Sequence, residues 1–206
     1  EINVIKRDGT KEPLDIEKFH KVVGWAVEGI TGVSQSEIEL KSHIQFYNNI
    51  ESSDIQETLI KAAAELITEE YPNYQYVAGN LINYHLRKMV YKGYNPLPAG
   101  LYSHIQAVVE EGYYDKNLLE IYNKEEWEEI EKFIVHDRDY NLTYAAMEQW
   151  RGKYLVKNRV TNKFYETPQV AYVLIAATLF SSYPKEERLK WVKDYYDAIS
   201  NFDISL

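Results

Sequence analysis

Apolar residues recur at steps of three and four in the first part of this sequence, and that spacing constrains the fold more than any other feature. The first such run begins just after Asp15. Its apolar positions are Ile16, Phe19, Val22, Val23, Ala26, Val27 and Ile30. A helix has about 3.6 residues per turn, so this spacing predicts an amphipathic helix with one side against a core. A second run, from Ser52 onward, has the apolar face Ile55, Leu59, Ala62, Ala63 and Leu66. Further helices are predicted over 34–47 and 73–91.

A β-hairpin is predicted before the first helix, with strands over 2–6 and 10–12 joined by Asp8-Gly9. An Asp-Gly pair favours a two-residue turn of type I′. Asp15 suits the N-cap of the first helix. Ser53 and Gln56 have the spacing of a capping box at the start of the third helix.

Residues 93–100, GYNPLPAG, form the clearest linker, because proline and glycine stop helices. We therefore predict one domain over 1–92 and a second region over 101–206. Helices are predicted near 101–112, 124–138, 143–150, 168–182 and 185–200, with a hairpin over 153–166 and the first residues of a strand at 204–206. The predicted fold class is mainly α (α+β): an N-terminal hairpin with four helices, then a helical region with one hairpin.

Charge and composition exclude several classes of function. The 206 residues carry a net charge of −9, which disfavours a broad nucleic-acid surface because phosphate backbones attract basic proteins. The chain has no cysteine, which excludes disulfides, thiol nucleophiles and cysteine-ligated zinc. No apolar run is long enough to span a membrane and no secretion signal is evident, so we expect no membrane partner and a cytoplasmic location, in the host cytoplasm if a phage encodes the chain.

Lys6 and Arg7 stand beside the hairpin turn, shortly before a predicted helix start. Cations next to a helix N-terminus are typical of phosphate sites, since the first N–H groups of a helix lack partners and its dipole attracts anions. The pattern equally fits a solvated strand end, with Asp15 acting only as a cap. From the residues alone, both interpretations stay open.

The stretch VIKRDGTKEPLDIEKFHKVVGWAVEG, from Val4, resembles the start of the ATP-cone domain. The likeness continues through SHIQFY, SSDIQETLIKAAAELI, PNYQYVAGNL, HLRK, HDRD, YLVKNRVTNKFYETPQ and DYYDAISNFDISL. Over this whole length the chain resembles class I ribonucleotide reductase large subunits of bacterial and T-even-like phage type. The resemblance implies a cone domain followed by the helical region that precedes an α/β barrel not contained in this chain.

The resemblance also implies an allosteric site for ATP or dATP, accompanied by Mg²⁺ that no side chain of this chain holds. Lys6, Arg7, His85 and Lys88 would contact phosphates, and the lip formed by 12–18 would surround base and ribose. The implied residues are Lys6, Arg7, Glu12, Pro13, Leu14, Asp15, Ile16, Glu17, Lys18, Ser52, Gln56, His85 and Lys88. Better-known bacterial members carry a histidine where this chain has Gln56, so the resemblance predicts nucleotide binding more firmly than inhibition by dATP.

Reduction of ribonucleotides in this family uses cysteines, and this chain has none. The resemblance thus implies a regulatory part of a ribonucleoside-diphosphate reductase: a piece of a larger subunit, a split-gene product or a truncation. Its partners would be the rest of the large subunit and the small radical-generating subunit, in an oligomer. The alternatives are a free-standing nucleotide-sensing module and a structural fragment whose nucleotide site has decayed.

Two charged motifs are predicted to have no catalytic role. HDRD, residues 136–139, would form a salt-linked surface or interdomain patch on a helix. The acidic stretch 125–131, EEWEEIE, would be a solvated helix face. Carboxylates on helices usually face water, and a metal site there is the remote alternative.

Overall fold

The protein is mainly helical, as predicted, in a computed structural model that describes residues 1–201. Backbone packing divides it into two compact units. The first contains Glu1–His85 and Tyr140–Gln149, and the second contains Leu86–Asp139 and the chain from Trp150 onward. This division falls inside a helix, so the domain boundary at 93–100 stays a prediction. The predicted strand start at 204–206 lies outside the described residues.

A small sheet opens the first unit. Its strands are β1 (Asn3–Ile5), β2 (Lys11–Pro13) and β3 (Ile50–Glu51), in the order β2-β1-β3. β1 pairs antiparallel with β2 and parallel with β3. The hairpin is therefore present, but β3 was not predicted, because two residues are too few to show strand alternation.

The turn of this hairpin differs from the predicted one. Five residues connect β1 to β2, and the Lys6 and Gly9 backbones close the loop through bonds from Lys6 N–H to the Thr10 carbonyl and from Gly9 N–H to the Lys6 carbonyl. Only Gly9 has a positive φ, of 86°, whereas a type I′ turn needs positive φ at both central residues. The Asp8 side chain instead accepts hydrogen bonds from the N–H and hydroxyl of Thr10. These bonds lower the pKa of Asp8.

Four helices complete the first part of the chain. They are α1 (Ile16–Val27), α2 (Gln35–His43), α3 (Ser52–Glu65) and α4 (Tyr74–Tyr91). Asp15 caps α1 as predicted, accepting a hydrogen bond from Lys18 N–H at 3.1 Å. The predicted capping box on α3 is wrong, because β3 leads straight into the helix and makes Glu51 the N-cap, with no side-chain cap bond.

The chain beyond α4 continues as six helices within the described residues. They are α5 (Leu101–Glu110), α6 (Asn117–Ile121), α7 (Lys124–Phe133), α8 (Tyr144–Gln149), α9 (Pro168–Leu179) and α10 (Lys185–Ser200). Of these, α8 belongs to the first unit and the others belong to the second. A 3₁₀ turn covers His136–Asn141 and a π-helical turn covers Trp150–Tyr154. The predicted second hairpin is reduced to β4 (Lys157–Asn158) and β5 (Lys163–Phe164). Within the described range no helix is long and apolar enough to cross a bilayer.

The acidic stretch 125–131 is not wholly solvated, which corrects the prediction. Glu126 is buried on α7, and its carboxylate accepts hydrogen bonds from the Arg188 guanidinium at 2.8 and 3.0 Å. Glu131 accepts a bond from Leu101 N–H at the start of α5. Helical periodicity places both side chains toward neighbouring helices, where each has a specific partner.

The HDRD segment also differs from a surface patch. Arg138 does reach the surface of α10, where it bonds Asp197 and Ser200. Asp139, however, is fully buried and accepts a hydrogen bond from the Gln169 side chain. Burial raises its pKa to about 7. The segment forms a 3₁₀ turn and not the predicted α-helix, with Arg138 bonded to α10 and Asp139 bonded to Gln169 on α9.

Candidate functional site

The register of the small sheet brings two predicted site residues to one edge. Ile5 on β1 pairs with Glu51 on the parallel strand β3, so both strands end at the same side of the sheet. Lys6 follows the first strand and Ser52 follows the second. Two segments that are 46 positions apart in sequence are thus neighbours through strand pairing.

The helix start at this edge is that of α3 and not that of α1. β2 runs antiparallel to β1, with Lys11 opposite Ile5 and Pro13 opposite Asn3. The chain therefore enters α1 from the far end of the hairpin, and Asp15 lies at the end opposite Lys6. The sequence predicted that Lys6 and Arg7 lie beside the start of α1. In the structure Lys6 instead follows β1 at the edge where α3 begins.

The two helix starts also differ chemically. α1 has its first turn capped by the Asp15 carboxylate. α3 has no side-chain cap, and Ser52 opens it with a half-buried side chain. Uncapped N–H groups at a helix start are donors that an anion can use. The α3 start therefore offers the better anion site of the two.

The cations beside this edge are accessible. The Lys6 ammonium lies 3.7 Å from the Glu12 carboxylate across the hairpin, a partly exposed pair. Arg7 is exposed. Lys11, opposite Ile5, adds an exposed cation at the same edge that was not predicted as a site residue.

The predicted lip over 12–18 is mostly exposed surface. Leu14 is half-buried and donates its N–H to the Ile2 carbonyl, which fixes the backbone at the hairpin end. Ile16 is 61% exposed, although it is the first residue of an otherwise amphipathic helix. Pro13, Glu17 and Lys18 are exposed as well. An exposed apolar side chain flanked by polar ones is a surface on which a planar base can pack.

The later predicted residues lie on α3 and α4. Gln56 is half-buried, one turn into α3. His85 is buried on α4, and its Nε2 lies 3.6 Å from the carboxylate of Glu57, which follows Gln56. Lys88 is half-buried one turn further along α4, in the part of that helix that belongs to the second unit. Nothing in the sequence indicates that Glu57 faces His85, since the contact joins two helices far apart in sequence.

A metal ion has no ready-made protein site in the described part of the chain, where no group of three or more histidine, aspartate or glutamate side chains is arranged to hold one. At the α3 edge, the described residues instead supply cations and uncapped helix N–H groups, which suit an anion.

Two families match this chain. Residues 2–89 match the ATP cone domain, and residues 140–206 match the ribonucleotide reductase all-alpha domain. The chain is also 54% identical over 203 residues to the ribonucleoside-diphosphate reductase 1 subunit alpha of Escherichia coli, covering 98% of this chain. The chain belongs to the ribonucleotide reductase large-subunit family.

Other large subunits are similar over the same extent. The chain is 54% identical to the ribonucleoside-diphosphate reductase 1 subunit alpha of Salmonella typhimurium. It is 42% identical over 207 residues to the ribonucleoside-diphosphate reductase subunit alpha of Enterobacteria phage T4, with 100% of this chain covered. The chain spans about a quarter of the length of these large subunits, since it covers 26% or 27% of each.

Proposed function

We propose that the first unit contains an allosteric site for ATP or dATP, as part of a ribonucleoside-diphosphate reductase large subunit. The ATP-cone match supports this proposal at the level of the domain. At the level of residues it depends on one observation, the pairing of Ile5 with Glu51, which puts Lys6 beside the start of α3. A phosphate there would be bound by a cation and by helix N–H groups together.

The proposed binding mode assigns the two ends of the hairpin to the two parts of the nucleotide. The phosphates would bind at the Lys6 end, near Arg7 and Ser52. The base and ribose would lie toward Ile16, with Glu12 and Asp15 as hydrogen-bond acceptors. Phosphate would compete with the Glu12 carboxylate for the Lys6 ammonium. The Lys6–Glu12 ion pair that would break is partly exposed and therefore weak.

His85 keeps its proposed role as a phosphate contact from α4 in the first unit, and Gln56 is proposed to contact the phosphates from α3. The phosphate role of Lys88 stays a prediction from the family resemblance. A Mg²⁺ ion would be held by the nucleotide's own phosphate oxygens, because Mg²⁺ usually binds through substrate phosphates and water. The wider function is control of the reduction of ribonucleotides to deoxyribonucleotides, in the cytoplasm. That reaction would require the rest of the large subunit and the small subunit, since this chain has no cysteine.

Isothermal titration calorimetry on matched lysine variants tests this proposal. We expect ATP to bind with a Kd in the micromolar range, about −8 kcal/mol. Lys6→Ala should weaken binding roughly tenfold or more, because a hydrogen bond to a charged group contributes about 1.5–3 kcal/mol. Lys61→Ala is the control, since Lys61 is an exposed lysine in a later turn of the same helix α3.

Equal affinity of both variants would contradict the placement of the phosphates. Absence of binding by the unaltered chain would instead favour the alternative of a decayed site. The Lys6→Ala variant should unfold at the same urea concentration as the unaltered chain, because its ion pair with Glu12 is partly exposed.

A further inference from the structure

The ladder that brings the start of α3 beside Lys6 is very short. β3 contains only Ile50 and Glu51, so its parallel pairing with β1 consists of two residue pairs. So short a ladder holds two segments together only weakly, because the net contribution of each hydrogen bond to stability is small. The position of Lys6 relative to α3 therefore depends on what else fixes β1 against β3.

The two residues before β3 supply this second attachment. The Asn48 side-chain oxygen accepts a hydrogen bond from Asn3 N–H at 2.9 Å. Asn49 N–H donates to the Asn3 carbonyl, also at 2.9 Å. Both polar backbone groups of Asn3, the first residue of β1, are therefore bonded to the segment that leads into β3. These two bonds extend the contact between the two segments beyond the two-residue ladder.

The turn that carries these two asparagines is itself fixed. Ile50 N–H donates to the Tyr47 carbonyl at 3.2 Å and closes a four-residue turn. Within it Asn49 has a φ of 67°, in the left-handed region that asparagine tolerates better than most residues. Just before the turn, Phe46 is buried and packs edge-on against Phe19 of α1, with ring centroids 5.4 Å apart. The asparagines are thus presented to β1 by a turn that is anchored in the core of the first unit.

Side-chain burial excludes only some of the alternative registers of β1 against β3. Val4 and Ile50 are paired and both are buried, so a slip by one residue would turn one of them outward. A slip by two residues would keep the same faces inward, yet it would move Lys6 by about 7 Å along β3. The Asn48 bond opposes that slip, because it ties one defined N–H of β1 to one defined side chain.

We propose that Asn48 is a positioning residue of the nucleotide site and acts through Lys6. Its bond to Asn3 holds β1 in register with β3, and this register sets the distance from the Lys6 ammonium to the N–H groups at the start of α3. The inference rests on the proposed function, because it takes that edge as the phosphate site. Asn3 and Lys6 are three positions apart, about 10 Å along a strand, so Asn48 would not itself contact the phosphates.

Isothermal titration of ATP into variants of the 206-residue chain tests this proposal. Asn48→Ala should weaken ATP binding roughly threefold to tenfold, because the loss of one hydrogen bond loosens the register. Asn48→Asp should restore most of the affinity, since its carboxylate can accept from the same N–H. Gln45→Ala is the matched control, because Gln45 is an exposed neighbour whose side chain donates to the Lys41 carbonyl at 3.0 Å and not to β1. It should change the affinity by less than about twofold.

A double-mutant cycle separates positioning from a merely structural role. In the Lys6→Ala background, Asn48→Ala should change ATP affinity by less than about twofold, because the cation that Asn48 positions is already absent. Losses of affinity that simply add would overturn this inference alone. So would an Asn48→Ala variant that binds ATP like the unaltered chain while Lys6→Ala binds it more weakly. Absence of ATP binding by the unaltered chain would overturn the proposed function, and this inference with it.

Discussion

Gln56 is the predicted site residue that departs from the family pattern, because the resemblance implies a histidine at that position. An amide can donate and accept hydrogen bonds but cannot become cationic. Its half-buried position one turn into α3 places it in the proposed phosphate region. Glutamine at this position therefore adds no positive charge to the region at low pH, whereas histidine would.

Gln56→His should strengthen dATP binding, and the gain should grow as the pH falls from 8 to 6. Histidine has an ordinary pKa near 6.5, so its imidazolium forms in this range and attracts phosphate. Calorimetric titrations at the two pH values, with Gln56→Asn as a control that cannot ionise, measure the effect. A gain that is the same at both pH values would show that charge is not involved.

Arg188 and Glu126 form the most buried ion pair described in this chain. Burial opposes ionisation of Glu126, but the hydrogen bonds from Arg188 and from Asn123 N–H outweigh it, and the pKa of Glu126 is lowered. Arg188 also donates to the Ile121 carbonyl and lies over the Tyr122 ring. Removing one member would leave the other buried without its charge partner.

Arg188→Leu should therefore destabilise the protein by about 3–5 kcal/mol, the usual cost of an unpaired buried charge. Lys132→Ala, which breaks the exposed pair with Glu129, should cost at most about 1 kcal/mol. Urea unfolding measures both. The double variant with Glu126→Leu should recover much of the loss, and a double variant no more stable than Arg188→Leu would contradict this explanation.

Asp139 makes the stability of the second unit depend on pH. Its pKa is raised to about 7 by burial, against about 3.9 for an unfolded aspartate. Between these values the folded state holds a proton that the unfolded state releases. The stabilisation is therefore complete below about pH 4 and is lost as the pH rises through 7.

Asp139→Asn should remove this dependence of the free energy of unfolding on pH, while keeping an oxygen that can accept the hydrogen bond from Gln169. Urea unfolding at pH 5 and pH 8 should show a larger loss of stability in the unaltered protein than in the variant. His136 makes the free energy of unfolding rise with pH, because burial and Arg87 lower its pKa to about 4. This contribution should be the same in the unaltered protein and in the variant. Parallel pH profiles would mean that Asp139 does not titrate in this range.

Among the elements, helix α4 was predicted well in extent but not in its contacts. It was expected over 73–91 and is found over Tyr74–Tyr91. Its Gly79 packs directly on the segment before α8, where an added Cβ would lie 2.3 Å from the Leu142 carbonyl oxygen. Local periodicity does not show such a contact, because it joins residues more than sixty positions apart.

Gly79→Ala should destabilise the protein by about 1–3 kcal/mol or more, since the clash is with backbone and overpacking costs about that much. This loss should outweigh the gain of about 1 kcal/mol from replacing glycine by alanine in a helix. Gly24→Ala on α1 is the control, because its added Cβ would meet only the flexible Gln35 side chain, at 3.4 Å. Compared with the unaltered chain, the midpoint temperature of thermal unfolding should be lower for Gly79→Ala and higher for Gly24→Ala.

For the molecule as a whole, sequence periodicity predicted most long helices, because each buries a repeating apolar face. It did not predict β3 or the α3 cap, which depend on pairing between β1 and the distant β3. It also missed the five-residue hairpin loop, which is set by local bonds of Lys6, Asp8, Gly9 and Thr10. The candidate site was likewise predicted only in part. The family resemblance predicted its residues, but only the pairing of Ile5 with Glu51 shows that α3, and not α1, begins beside Lys6.

A crystal structure of the chain with ATP tests the central claim most directly. The account predicts phosphate oxygens about 2.7–3.2 Å from the Lys6 ammonium and from N–H groups in the first turn of α3, with the base toward Ile16. Phosphates bound at the start of α1 instead, or a Lys6 edge that stays empty at saturating ATP, would contradict it.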